Sequence, residues 1–114
     1  MLLQIDKKLN TETKELVSEF IELQNKQYKN EFTFKGEEEI KHSNLEISLF
    51  ILGYDIRMRI LLIGRIAIAE NSLDSYLIQN AYDNYSNHIR GNKETLKSLI
   101  QKYFKLQSIY QFNK

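Results

Sequence analysis

Residues 45–69 read LEISLFILGYDIRMRILLIGRIAIA, a stretch rich in isoleucine and leucine. Apolar residues occupy one parity of this stretch: Tyr54, Ile56, Met58, Ile60, Leu62, Ile66 and Ile68. Charged residues occupy the other: Asp55, Arg57, Arg59 and Arg65. Such alternation is typical of a half-buried strand. The residues before it alternate too, and Gly53-Tyr54 between the two runs is typical of a type II′ hairpin turn. The stretch therefore predicts two antiparallel strands, at about 44–52 and 55–69.

The competing interpretation of the same stretch is a helix. Helical spacing relates a second set of apolar residues: Leu45, Leu49, Leu52, Ile56, Ile60, Ile63 and Ala67. Such a helix would contain two glycines, each costing roughly 1 kcal/mol relative to alanine. It would also be apolar on almost every side and would need burial all round. We therefore predict the strands, and an all-α helical bundle is the alternative.

The rest of the chain predicts one further strand and three helices. An apolar stripe behind acidic residues predicts a helix at about 11–28, and alternation predicts a strand at 31–35. Two more stripes predict C-terminal helices at 72–90, capped by Asn71 or Ser72, and at 92–110, capped by Asn92. The predicted fold class is α+β, a small antiparallel sheet with an N-terminal helix and two C-terminal helices, in a single domain spanning residues 1–114. The strand parity predicts a core beneath the C-terminal helices that contains Ile47, Leu49, Ile56, Met58 and Ile60.

The composition limits the classes of partner. The net charge is +1 and the basic residues are scattered, so we expect neither a nucleic-acid nor a membrane partner. The absence of cysteine excludes disulfides and thiolate metal sites. No run approaches the roughly 18 apolar residues of a membrane span, and we expect a cytoplasmic protein.

Few residues in the sequence are suited to catalysis. His42 and His88 have no acid or nucleophile at a recognisable motif spacing. His42 with Glu38 or Glu39 is only a weak metal-site pattern. We therefore predict that the protein is not an enzyme and has no metal site or cofactor.

The predicted long strand contains the candidate partner-binding residues. Arg57 and Arg59 share its charged face, which is either solvated or suited to an acidic partner. Around Gly64 the same face becomes apolar, at Leu61, Ile63, Ala67 and Ala69. Only the N-terminal helix or a second copy of the chain is available to cover it. We therefore predict a protein partner and a homo-oligomer, with contacts through Arg57, Arg59, Leu61, Ile63 and Ala67.

Two segments resemble the SecB protein-export chaperones. One is the strand pair with Gly64-Arg65-Ile66, which is similar to the family's Gly-x-Phe strand. The other is Asn80-Ala81 followed by His88-Ile89-Arg90, which is similar to a motif on the family's first long helix. The resemblance covers about residues 44–90. It implies a sheet with two C-terminal helices, dimers or tetramers, and apolar grooves that hold unfolded clients without a cofactor.

The helical alternative has a resemblance of its own. Asp55, Arg59, Ile66 and Glu70 can be aligned with the helical abortive-infection family, although that family's Arg…His ribonuclease motif is absent. Two function classes follow from the whole sequence. One is a SecB-like chaperone for unfolded chains, and the other is a small phage- or immunity-type inhibitor that binds one folded protein.

Overall fold

Four helices build the described part of the chain. The computed structural model describes residues 9–29 and 37–112, and within these ranges the chain contains helices and no strand. In chain order the helices are α1 (Thr11–Lys29), α2 (Glu37–Ser72), α3 (Ser75–Ile89) and α4 (Leu96–Phe112). The predicted α+β fold is therefore wrong, and the all-α bundle is the architecture found.

The two long predicted strands, 44–52 and 55–69, are consecutive parts of α2. This helix has 36 residues, so at 1.5 Å per residue it is about 54 Å long. It matches the longest dimension of the molecule, 53 Å. Gly53 lies inside the helix and forms no hairpin turn. The predicted strand at 31–35 lies outside the described residues.

Two separate cores explain how a helix that is apolar on most sides can be stable. The first half of α2 packs against α1 and α4 in a core formed by Phe20, Leu49, Ile56, Leu96, Leu99, Ile100 and Tyr103. The second half packs against α3 in a core formed by Leu62, Ile66, Ala69, Ala81, Tyr85 and Ile89. At 3.6 residues per turn, the buried face of the second half is rotated by roughly 120° from that of the first. Helices packed on two different sides of α2 therefore bury apolar surface that packing on one side would leave exposed.

The predicted core is correct in part. Leu49 and Ile56 are buried, and Met58 and Ile60 are half-buried against the two cores. Ile47 is exposed, so its predicted burial is wrong. The reason is the helical repeat, which places Ile47 on the opposite side of α2 from Leu49.

The three predicted helices are confirmed, with corrections at their ends. The Asn10 Oδ1 atom accepts a hydrogen bond from the Thr13 backbone amide at 2.8 Å, which caps α1. The cap of α3 is Asp74 rather than Asn71 or Ser72, because α2 continues through Ser72. The last helix begins at Leu96, and the Thr95 hydroxyl accepts from the Ser98 amide in place of the predicted Asn92 cap.

Candidate functional site

A polar cluster joins α2, α3 and the loop at 90–95. Its centre is Asp55, whose Oδ1 lies 2.8 Å from His88 Nε2. The Oδ2 atom of Asp55 accepts a hydrogen bond from the side-chain Nδ2 of Asn92 at 3.3 Å. The Arg59 Nε atom donates to the same Oδ1 at 3.4 Å. Since residues 55 and 59 are one helical turn apart, α2 presents both to the loop together.

The guanidinium of Arg59 holds the loop in place. Its two terminal nitrogens donate to the backbone carbonyls of Glu94, at 2.6 Å, and Asn92, at 3.1 Å. Arg59 is only 1% exposed, so these hydrogen bonds compensate for the loss of water around a buried charge. Its fixed fork suits two carbonyls at once.

The cluster is better suited to structure than to chemistry. Both carboxylate oxygens of Asp55 are occupied by loop or helix donors, and Arg59 faces inward to the loop carbonyls. Within the described residues, no group of three or more metal-ligating side chains comes together. The side chains of Glu38, Glu39 and His42, the weak metal pattern, lie outside the described part of the structure. We therefore assign the Asp55 cluster to fixing the α3–α4 loop against α2.

A second polar contact joins α1, α2 and α4. Gln24 donates through Nε2 to the Tyr103 hydroxyl at 2.7 Å and accepts from Arg57 Nη1 through its Oε1. Gly53 makes room for this contact, since a Cβ atom there would lie 3.3 Å from both Arg57 Nη1 and a Tyr103 ring carbon. Arg57 therefore contributes to the contact between helices.

The outer side of α2 carries the apolar surface that the two cores leave exposed. Its exposed apolar members are Ile47, Phe50, Ile51, Tyr54, Leu61 and Ile68. Half-buried Met58 and exposed Arg65 lie among them. We call these eight residues the α2 stripe. At 100° per residue they span an arc of about 100°, and they extend for about 32 Å along the helix. Isolated exposed apolar residues are common on proteins, whereas a continuous row marks an interaction surface.

The turn after α2 and the first turn of α3 add three exposed apolar side chains, Leu73, Tyr76 and Leu77. Leu73 is 85% exposed and has a φ of 59°. The left-handed conformation costs a residue with a Cβ atom roughly 1–2 kcal/mol, and glycine usually occupies this position after a helix. The apolar surface therefore continues past the end of α2 at a position where the backbone would favour another residue.

The structure separates the predicted partner-binding residues. Arg59 is buried against the 90–95 loop, and Arg57 is half-buried against Gln24, so the two do not share an exposed face. Leu61 is exposed within the α2 stripe. Ile63 is half-buried and packs against both cores, and Ala67 is exposed.

Two features escaped the sequence analysis for different reasons. The contact of His88 with Asp55 joins residues 33 positions apart, so no motif of neighbouring residues predicts it. The α2 stripe did leave a signal, because Ile47, Tyr54, Leu61 and Ile68 recur every seven residues. A seven-residue apolar repeat indicates a helix that packs against another helix.

No family model matches the chain, and no curated protein or solved structure is significantly similar to it. Among the described helices, none is long and apolar enough to cross a membrane.

Proposed function

We propose that the chain is a non-enzymatic protein-binding module that docks a folded, helical partner against the α2 stripe. The observation that carries the proposal is the row of mainly exposed apolar residues from Ile47 to Ile68, on one side of a helix that packs in two separate cores on other sides. Binding that row to a partner would remove its apolar surface from water, which favours association. A ridge of this width matches the seam by which one helix packs on another.

The shape of the surface favours a folded partner over an unfolded client. SecB-like binding of unfolded chains uses grooves between a sheet and helices, and residues 44–69 form a helix here. The α2 stripe is convex and lies on a helix held by two cores, so it is pre-organised for a partner of complementary shape. The proposal therefore follows the second function class, an interaction protein for one folded partner.

Site-specific crosslinking tests the proposal, and the chain's lack of cysteine makes the labelling unique. A photoreactive maleimide is attached to Leu61→Cys, in the stripe, and to Ile109→Cys on α4. These sites are matched in exposure, at 47% and 44%. Each labelled protein is illuminated alone and in extract of its native cells. We expect one dominant adduct from position 61, much less from position 109, and loss of the adduct when Ile68→Lys is added.

Other outcomes would contradict the proposal. Equal labelling from both positions would show that the stripe is not a preferred contact. Many weak adducts of different mass from position 61 would instead indicate a binder of unfolded chains. Circular dichroism of each variant checks that the helices are intact.

A further inference from the structure

The spacing of the residues along the outer side of α2 indicates what kind of partner binds there. If the contact is a helix pair, the facing positions are Ile47, Ile51, Tyr54, Met58, Leu61, Arg65, Ile68 and Ser72, which alternate spacings of four and three residues. That alternation is the core pattern of a coiled coil. All of these residues are exposed except half-buried Met58, and all lie on the side of α2 away from α1 and α4.

From this pattern we infer that the partner is a second copy of the chain, docked α2 against α2 in antiparallel orientation about a two-fold axis. The inference rests on the proposed function and names the occupant of the same surface. In an antiparallel pair, the two kinds of core position face each other. One register then sets Ile51 opposite Ile68 of the second copy and Met58 opposite Leu61 of the second copy. Because the axis is two-fold, each of these contacts occurs twice.

The one charged residue among the facing positions decides the orientation. In a parallel pair with matched ends, Arg65 would meet Arg65 of the second copy, and like charges facing each other in a seam repel. In the antiparallel register, Arg65 lies opposite Tyr54 of the second copy. An arginine guanidinium stacks favourably on an aromatic ring. The stripe is thus self-complementary in one direction only.

The two ends of the row of facing positions, Ile47 and Ser72, complement each other in the same register. Ile47 lies opposite Ser72 of the second copy, a small residue that leaves space beside it. Leu73 follows Ser72 directly and is exposed in its left-handed conformation. In the antiparallel dimer, Leu73 of one copy lies next to Ile47 of the other, so its exposed side chain gains an apolar contact.

Sedimentation equilibrium of the purified chain, with matched variants, tests the association. We expect a dimer mass at tens of micromolar. Leu61→Lys should weaken dimerisation by at least about 100-fold, because the change removes a buried contact twice and introduces two charges. Ile109→Lys, at nearly the same exposure on α4, should leave dimerisation unchanged. A monomer mass for the unmodified chain, or a dimer indifferent to Leu61→Lys, overturns the inference.

Pairwise crosslinking tests the orientation. Ile51→Cys and Ile68→Cys are prepared as separate proteins and treated with a short bis-maleimide, singly and as a mixture. The antiparallel register predicts covalent dimers in the mixture and few in either protein alone. Covalent dimers in each protein alone indicate a parallel pair and overturn the orientation. If the chain is monomeric while position 61 still crosslinks one other protein in extract, only the identity of the partner is wrong. If both experiments fail, the proposed function fails as well.

Discussion

At the scale of single residues, the buried Arg59 constrains both α2 and the 90–95 loop. Arg59 is enclosed between α2 and the 90–95 loop and donates to Asp55 and to two backbone carbonyls. A charge in such a place is stable only while its partners remain. The residue therefore links the position of the loop to the face of α2.

Replacing Arg59 tests this role. Arg59→Met should lower the free energy of unfolding by about 3 kcal/mol or more, because the carboxylate of Asp55 and the loop carbonyls lose their donor. Lys105→Met, on the exposed side of α4, should change it by about 0.5 kcal/mol or less. Urea denaturation measures both. Similar values for the two variants would show that the hydrogen bonds of Arg59 contribute little to the free energy of unfolding.

At the scale of the helix, the two glycines of α2 have opposite surroundings. A Cβ atom on Gly53 would meet Arg57 and Tyr103 at 3.3 Å, whereas one on Gly64 would meet nothing within 4 Å. The first glycine permits close packing between α1, α2 and α4. The second has no such packing role in the described structure.

Alanine at each glycine gives a matched comparison within one helix. Gly64→Ala should raise the free energy of unfolding by about 1 kcal/mol, the helix-propensity difference between the two residues. At Gly53 the same gain is opposed by crowding against the Tyr103 ring, which is buried. We expect Gly53→Ala to give no gain or a loss in thermal unfolding. An equal gain at both positions would mean that the packing at Gly53 is loose.

At the scale of the whole molecule, α2 is the element shared by both cores. Its first half contacts α4 and the Phe20 and Gln24 side chains of α1, and its second half contacts α3. Because one continuous helix belongs to both, loss of either core should destabilise the other. The bundle should therefore unfold as a unit, as small single domains usually do.

One substitution in each core tests that coupling. Ile56→Ala and Ile66→Ala should each cost about 2–5 kcal/mol, since both remove a buried aliphatic side chain. Ile109→Ala, 44% exposed on α4 and outside the α2 stripe, serves as the control and should cost about 0.5 kcal/mol or less. All three should show one transition with the same denaturant dependence, followed by circular dichroism. A separate early transition in Ile66→Ala would show that α3 unfolds independently.

Those parts of the protein that depend on neighbouring residues could be predicted from local sequence patterns. The helices at 11–29, 75–89 and 96–112 were predicted within a few residues, because apolar stripes repeat over one or two turns. The predicted caps were wrong, since Asp74 and Thr95 cap α3 and α4. The seven-residue repeat of the α2 stripe was also present in the sequence. That these residues are exposed is seen only in the structure. The tertiary structure decided that residues 45–69 are helical, since their apolar residues fit both a period of two and a period of 3.6. That choice depended on whether two sides of a helix could be buried at once. Only the packing of α1 and α4 on one side and α3 on another supplies that burial.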